Sequence, residues 1–442
     1  MGQFSVVENE DMRDVHDVIG VGFGPANIAL AVAVKEEAPQ LNCLFLEARS
    51  DVEWQPGMLM AGTDIQNHPV RDLATLRNPR SRYTFINFLH EHERLLSYLN
   101  LPVHFPLRRD YAQYVRWVAE ECAPMVAYES EVVDIGVATA PCPHYVVKTA
   151  DGGSHRGRVL VVGTGRTPYI PDVFAQVLGS RLFHSNDYRW RLEQRRASGP
   201  LTSVAVIGAS QGAAEIALDL HSGHPDCEIT TVTRGFGYRL KDTSPFSEEA
   251  FLPDFTDYYF NASERGKSDL DAQLRPTNYS SVDRDVIETL YVRRYEDELD
   301  GRRRLRMHRN SEVLAARLST DGVVLDLQER HTGERTTVEA ELVVLATGFK
   351  DLGASERGEP HPPLLSPLAP RLAVDASGTV RVARDYSLSA AESDAPLPPL
   401  FLNGLCESTH GLGDAGSFSL LSLRAGTLLS GITERLGTSV AQ

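Results

Sequence analysis

The stretch DVIGVGFGPANIAL, residues 17–30, constrains this chain more than any other. An apolar run ends on Gly20, Gly22 follows, and Gly24-Pro25 stands where the pattern would carry its third glycine, before a helix of small residues. Glycines so spaced permit a tight turn and a close approach of backbone to a pyrophosphate, whose charge then rests on the helix N-terminus. Proline costs nothing in that first turn, since its missing N–H would have had no partner. A second apolar run, CLFLEA at 43–48, ends on Glu47, where an acid that holds a ribose is expected. The opening is a βαβ unit with a nucleotide-binding turn, and the plain alternative is a turn that serves structure alone.

The pattern recurs in SVAVIGASQGAAEIALDL at 203–220, where Gly208 ends the strand, Ser210 replaces the second glycine and Gln211 opens the helix. Its next strand, EITTVTR at 228–234, ends on Arg234 in place of an acid, which suits a 2′-phosphate and favours NADPH over NADH. The plain alternatives are a degenerate unit that binds nothing and a solvated arginine. Two strands return to glycine turns, RVLVVGTG at 158–165 and AELVVLATG at 340–348, the latter with Thr347 and Gly348. This interleaved order predicts an α/β fold with two Rossmann-like dinucleotide-binding domains, FAD in the first and NADPH in the second. The second is expected as an insertion: 1–195 and 346–442 form the FAD domain with substrate-binding segments, and 196–345 form the NADPH domain with part of the substrate cleft at 240–280. Segments 236–280 and 352–400, rich in Pro, Ser, Asp and Tyr, read as loops or small subdomains over a cleft.

Charge narrows the partners. With 44 Lys and Arg against 60 Asp and Glu, the net charge is -16, which argues against nucleic acid or an anionic membrane as a partner. The five cysteines are scattered, with no C-x-x-C pair and no histidine at ligand spacing, so reduced thiols and no metal are expected. The first sixteen residues are polar and acidic, and no apolar run approaches the roughly 18 residues of a membrane span; a cytoplasmic location is expected. A homo-oligomer stays open.

Five further segments carry a family resemblance. WQPGMLMAGTDIQNHPVRDLATLRNPRSRYTFINFLHEHERLLSYLNL at 54–101, FHSNDY at 183–188, KDTSPFSEEAFLPD at 241–254, TNYSSV at 277–282 and THGLGDAGSFSLLSLRAG at 409–426 resemble, in order, the flavin-dependent N-hydroxylating monooxygenases that act on ornithine and lysine in siderophore synthesis. The resemblance implies that NADPH reduces FAD, O2 adds at flavin C4a as a hydroperoxide, NADP+ is retained, and an unprotonated amine attacks the distal oxygen. The cofactor then carries the hard chemistry, and protein groups position the amine and exclude water. Gln66 would lie beside the isoalloxazine and nicotinamide, Asn278 would contact substrate or NADP+, and Arg234 would hold the 2′-phosphate. Trp54 and Met58 match the loop near the flavin, although Gln55 stands where the family has His. Arg77, His410 and Asp414 are assigned to the cofactor as well. For His410 and Asp414 an acid–base pair is the sharper alternative.

The substrate contacts depart from the ornithine pattern. Arg71 replaces the lysine before DLATLRNP that binds the substrate carboxylate, and its planar fork offers two parallel hydrogen bonds. Glu248 replaces the asparagine after SPF that contacts the α-amino-acid end, and would repel a carboxylate unless paired. Ser419 is the candidate for the side-chain amine, with Ser417 and Ser422 as alternatives. A branch that resembles this family in its cofactor motifs hydroxylates aspartate repeatedly towards nitrosuccinate, and such a dicarboxylate wants guanidinium groups. Arg71 fits, and Arg275 and the pair Arg293-Arg294 are further candidates, with surface arginines as the plain reading. Aspartate is therefore the favoured substrate, with ornithine N5- or lysine N6-hydroxylation as the alternative and a diamine behind both.

Other classes fit less well. A pyridine nucleotide–disulfide reductase needs a redox cysteine pair, and a Baeyer–Villiger enzyme needs F-x-G-x-x-x-H-x-x-x-W, which RLFHSNDYRW does not supply. A non-catalytic flavoprotein draws some support from Ser210, and NADPH consumption with an added amino acid discriminates it.

Overall fold

The structure is a computed structural model that describes residues 15–140, 142–197, 199–391, 397–414 and 416–438. Its first sheet runs in the order Ser387–Leu388, Leu400–Leu402, Ser154–Val162, Val15–Val21, Cys43–Leu46 and Val126–Ala127. All but the first of these neighbours pair in parallel, and Val132–Ala138 and His144–Thr149 extend the sheet as an antiparallel flap beside Ser154–Val162. Central parallel strands are covered on both faces, which is why VHDVIGV and RVLVV read as nearly continuous apolar runs. The helix Pro25–Glu37 is buried from Asn27 to Val34, and its alanines let it lie close to the sheet and to the C-terminal helix Leu421–Leu436. Pro39 follows its C-cap, where a proline ends a helix.

A second sheet, wholly parallel, has the order Leu305–His308, Glu228–Val232, Ser203–Ile207, Leu342–Leu345 and Leu182–His184. Leu182–His184 lies in the stretch expected with the first domain, yet it pairs here: its short apolar run takes the free edge of Leu342–Leu345. Ser311–Leu318, Val323–Glu329 and Arg335–Ala340 make a small antiparallel sheet beside it. The chain passes between the two large sheets twice, and the two crossings pair with each other. Tyr169 N donates to Gly348 O at 2.9 Å and Lys350 N to Thr167 O at 2.8 Å.

The stretch 236–280, read as loops or a small subdomain, is mainly helical, with Pro253–Asn261 and Glu264–Asn278. Pro253 at the first turn and Ser263, whose hydroxyl accepts from Gly266 N, start these helices, a signal that the Pro/Ser-rich composition hides. The stretch 352–400 is irregular where described, with only short pieces such as Pro363–Leu365 and Ser387–Leu388. Among the described residues no helix is long and apolar enough to cross a membrane, and no group of three or more His, Cys, Asp or Glu is arranged to hold a metal ion.

Candidate active site

The first glycine turn is built to leave room on one side only. Gly22 has φ +81°, and a Cβ there would stand 2.7 Å from Gly163 O. Gly24, the N-cap of Pro25–Glu37, faces open space, and no side chain caps the helix start. Its first N–H groups are thus left for a ligand, and the helix dipole favours an anion there. Glu47 closes the turn, accepting from Phe23 N at 2.7 Å and Arg49 N at 3.0 Å. Gly20 packs so tightly that a Cβ would fall 2.2 Å from the Phe45 ring.

Beneath the turn runs a buried polar chain that sequence reasoning missed. Asn27 Nδ2 donates to Gly22 O at 2.7 Å, and Asn403 Nδ2 donates to Asn27 Oδ1 at 3.0 Å. Arg424 Nε donates to Asn403 Oδ1 at 3.0 Å, and its Nη1 pairs with Asp414 Oδ1 at 2.8 Å. Both charged side chains are 2% exposed, so the ion pair is internal and fully committed. Asp414 therefore organises the base of the turn, and the acid–base pair with His410 is not formed. His410 is fully buried, stacked on Tyr386 at 4.2 Å, with Nε2 3.1 Å from Arg384 O; burial pushes its pKa down. Arg77 is likewise not at the turn. Its guanidinium clasps Glu36 and Glu37 at the opposite end of the same helix, because two carboxylates there neutralise a buried charge.

The second turn repeats the arrangement. Gly208 has φ +149° with Ala346 O where a Cβ would go, and Ser210 is the N-cap of Gln211–Gly223 with no side-chain cap bond. Its hydroxyl makes no hydrogen bond within the described protein. Arg234 is exposed two residues past the next strand, and its guanidinium has no ion pair among the described residues. Both cradles have the glycine geometry and the uncapped helix starts that a dinucleotide pyrophosphate needs. Thr347 and Gly348 belong to the crossing instead: the Thr347 hydroxyl donates to Tyr169 O at 2.5 Å, and Gly348 O accepts from Tyr169 N.

Between the two cradles the predicted residues meet partners from distant segments. Gln66, at φ +53°, donates from Nε2 to Asp283 Oδ2, and Lys241 Nζ lies 3.9 Å from Asp283 Oδ1. Gln211 spans the same place, accepting from Asp283 N at 2.8 Å and donating to Glu215 Oε1 at 2.9 Å. Arg108 pairs with Glu215 through both nitrogens, at 3.0 and 3.1 Å, and donates to Met58 O and Asp64 O. Asp64 accepts from Gln66 N, and burial pushes its carboxyl up to about 6 against that bond, with Asp283 and Glu215 adding negative charge. Met58 also touches the start of the second helix, its methyl 3.4 Å from where a Gly212 Cβ would stand. Trp54 packs edge-on against Tyr111 and Phe418.

Of the substrate candidates, Ser419 joins this junction. It is buried, accepts from Asn67 Nδ2 at 3.3 Å and sits 2.8 Å from Ser417 Oγ. Ser422 Oγ is buried with no hydrogen-bond partner among the described residues. Arg71 is half-buried with no ion pair among the described residues, and Glu248, on the short helix Pro245–Glu248, is half-buried and also unpaired. Asn278 is the last residue of its helix, and Asp242 N donates to Pro276 O two residues before it. Arg275 is exposed and bonds Ser280, while Arg293 and Arg294 pair with Glu296 and Glu298 on their own helix. Those three are therefore surface arginines, held by local partners. Among the residues missed, Glu215 left no distinct signal, since the same helix also carries Asp219.

Residues 14–351 match the family described as L-lysine 6-monooxygenase/L-ornithine 5-monooxygenase. The L-ornithine N(5)-monooxygenase of Pseudomonas aeruginosa is 34% identical over 438 residues, 97% of this chain and 96% of the relative. A solved structure of the ornithine N-hydroxylase KtzI of Kutzneria sp. 744, described as holding reduced FAD, NADP+ and L-ornithine, superposes with a TM-score of 0.88 at 34% identity, covering 96% of this chain and all of the other. That of the L-lysine 6-monooxygenase of Pseudomonas syringae gives 0.83 at 32% identity, over 95% of this chain and all of the other. The motif resemblance and the structural likeness agree at the level of the family.

Proposed function

This chain belongs to the L-lysine 6-monooxygenase/L-ornithine 5-monooxygenase family, and from that premise we propose that it hydroxylates the side-chain amine of ornithine or a close basic homologue, using FAD, NADPH and O2. The observation that carries the reading is full-length likeness to enzymes named for ornithine and lysine, cofactor cradles included. It moves the favoured substrate from aspartate to the alternative. The unpaired Arg71 and Glu248 support the same choice, because a guanidinium for the α-carboxylate and a carboxylate for the α-ammonium suit the zwitterionic end of a basic amino acid. Aspartate would set a second carboxylate against Glu248.

When bound, the two nucleotides supply hydride transfer and oxygen activation. The protein's share is binding and alignment. Gly22, Gly24 and the start of Pro25–Glu37 hold one pyrophosphate, Glu47 its ribose; Ser210 and the start of Gln211–Gly223 hold the other, and Arg234 the 2′-phosphate. Gln66 and Asn278 orient the nicotinamide and the amine, with Ser419 at the amine end. The amine reacts unprotonated, so turnover rises with pH until another group titrates.

Supplying aspartate, ornithine, lysine and putrescine separately, while following NADPH loss and N-oxidised product, tests the reading. Hydroxyornithine or hydroxylysine is the expected product; N-oxidation of aspartate alone overturns it. Arg71→Ala is expected to raise KM for the amino acid about 10- to 100-fold with FAD content unchanged, the loss of a charge-assisted bidentate contact. Arg234→Ser is expected to raise KM for NADPH by a similar factor and leave NADH nearly unaffected, read from steady-state kinetics with each coenzyme.

A further inference from the structure

The second glycine turn sits between two strand ends, and an arginine stands beyond each. Gly208 N donates to Val232 O at 3.1 Å, and Arg234 follows two residues later. On the other side a Cβ at Gly208 would fall 2.3 Å from Ala346 O, and the next carbonyl, Thr347 O, accepts from Arg357 Nη1 at 3.2 Å. The two arginines therefore flank the turn where the uncapped helix start is open to phosphate. Arg357 comes from outside the second sheet. It lies past the return crossing, on the bend that joins Asp351–Leu352 to its parallel partner Gly358–Glu359, and its guanidinium rests over the Tyr169 ring at 4.5 Å. Thr347 O takes one of its five N–H donors, and no other acceptor among the described residues takes the rest.

The charges around Arg357 leave it uncompensated. Glu356, its neighbour in sequence, accepts from the Tyr169 hydroxyl, and neither Arg357 nor Arg234 has an ion pair among the described residues, in a chain of net charge -16. Arg275, exposed and bonded to Ser280, adds a third positive charge nearby. Burial first, then Arg234 and Arg275, push the Arg357 pKa down, with Tyr169 and Glu356 opposing. Like charges gathered with no acid between them repel, and a bound anion relieves that repulsion. The pyrophosphate already has the turn and the helix start. A phosphate monoester carries roughly -1.5 to -2 near neutral pH and presents three strong acceptor oxygens, which suit two guanidinium forks. We propose that Arg357 is a second cation on the coenzyme's 2′-phosphate, sharing it with Arg234, so that the choice of NADPH over NADH is made partly by a residue outside the second sheet. This rests on the reading of Arg234 as a contact of that phosphate.

Calorimetry on the FAD-loaded protein, with adenosine 2′,5′-bisphosphate and adenosine 5′-phosphate as probes, tests the proposal without turnover. Arg357→Gln is expected to weaken the bisphosphate about 10- to 50-fold, the loss of a charge-assisted contact, and the monophosphate less than about 2-fold. The KM for NADPH is expected to rise by a similar factor and that for NADH to stay nearly unchanged. Arg357→Lys keeps the charge and loses the fork, so a smaller loss confined to the 2′-phosphorylated ligands is expected. It carries the test if Arg357→Gln does not fold, with flavin content and circular dichroism as controls. Equal losses for both probes assign Arg357 to the turn or the crossing and overturn the proposal, as does an unchanged affinity for the bisphosphate. If Arg234→Ser is selective for the bisphosphate and Arg357→Gln is not, the proposal fails alone. An Arg234→Ser variant without that selectivity overturns the reading of Arg234 and the shared site with it.

Discussion

Gly22→Val is expected to give a folded protein that no longer retains FAD. The native φ of +81° lies where a β-branched side chain is strained, and the new Cβ would meet Gly163 O at 2.7 Å. Without ligand the turn relaxes away from that clash, so the sheet beneath it survives. Binding must then re-impose the native turn against about 2–5 kcal/mol of combined backbone strain and overpacking. That corresponds to a loss of affinity on the order of 30- to 5000-fold, enough to strip flavin during purification. Flavin absorbance of the purified protein checks it, with far-ultraviolet circular dichroism as the control for folding. A yellow Gly22→Val protein with wild-type flavin content would mean that the cofactor does not lie against this turn.

The second large effect is expected at Arg108–Glu215. Glu215→Ala leaves a guanidinium enclosed between the two nucleotide units with only carbonyl partners, Met58 O and Asp64 O. An uncompensated buried charge costs about 3–5 kcal/mol, whereas a double change to Arg108→Met with Glu215→Leu removes both charges and is expected to cost far less. Thermal unfolding of the three proteins separates the charge from the packing. The single variant is also expected to weaken NADP+ binding, because Gln211 loses the partner that aims it at Asp283. If single and double variants unfold together, the pair is not holding the junction.

What could be read from the chain was what local pattern encodes. The glycine turns, both helix starts and Arg234 are legible because a turn, a cap and a strand end occupy neighbouring residues, and the resemblance singled out Gln66, which meets Asp283 from the second unit. Arg108 and Glu215 were invisible because they meet across 107 residues, and nothing local to either states that the other exists. The same holds for Asn27 with Asn403, and for Arg166 with Asp351 and Glu407. The partners of Arg77, His410 and Asp414 were hidden for a related reason: proximity in sequence to a cofactor motif does not say which way a side chain turns, and these three meet Glu36 and Glu37, Arg384 O, and Arg424. Composition misled at 236–280, where capping residues outweigh a loop-like content.

The paired crossing at Thr167–Tyr169 and Gly348–Lys350 makes the second sheet a cassette. Everything between these points begins and ends at adjacent positions on the first unit, so its removal or exchange asks the first sheet to bridge only a short gap. Transplanting residues 170–347 from a relative with a different coenzyme preference should therefore leave the order of the first sheet untouched. What such a graft must match is the far side: Gln66, Met58 and Arg108 need their Asp283, Gly212 and Glu215, or the borrowed unit will be attached at its doorway and unlatched everywhere else.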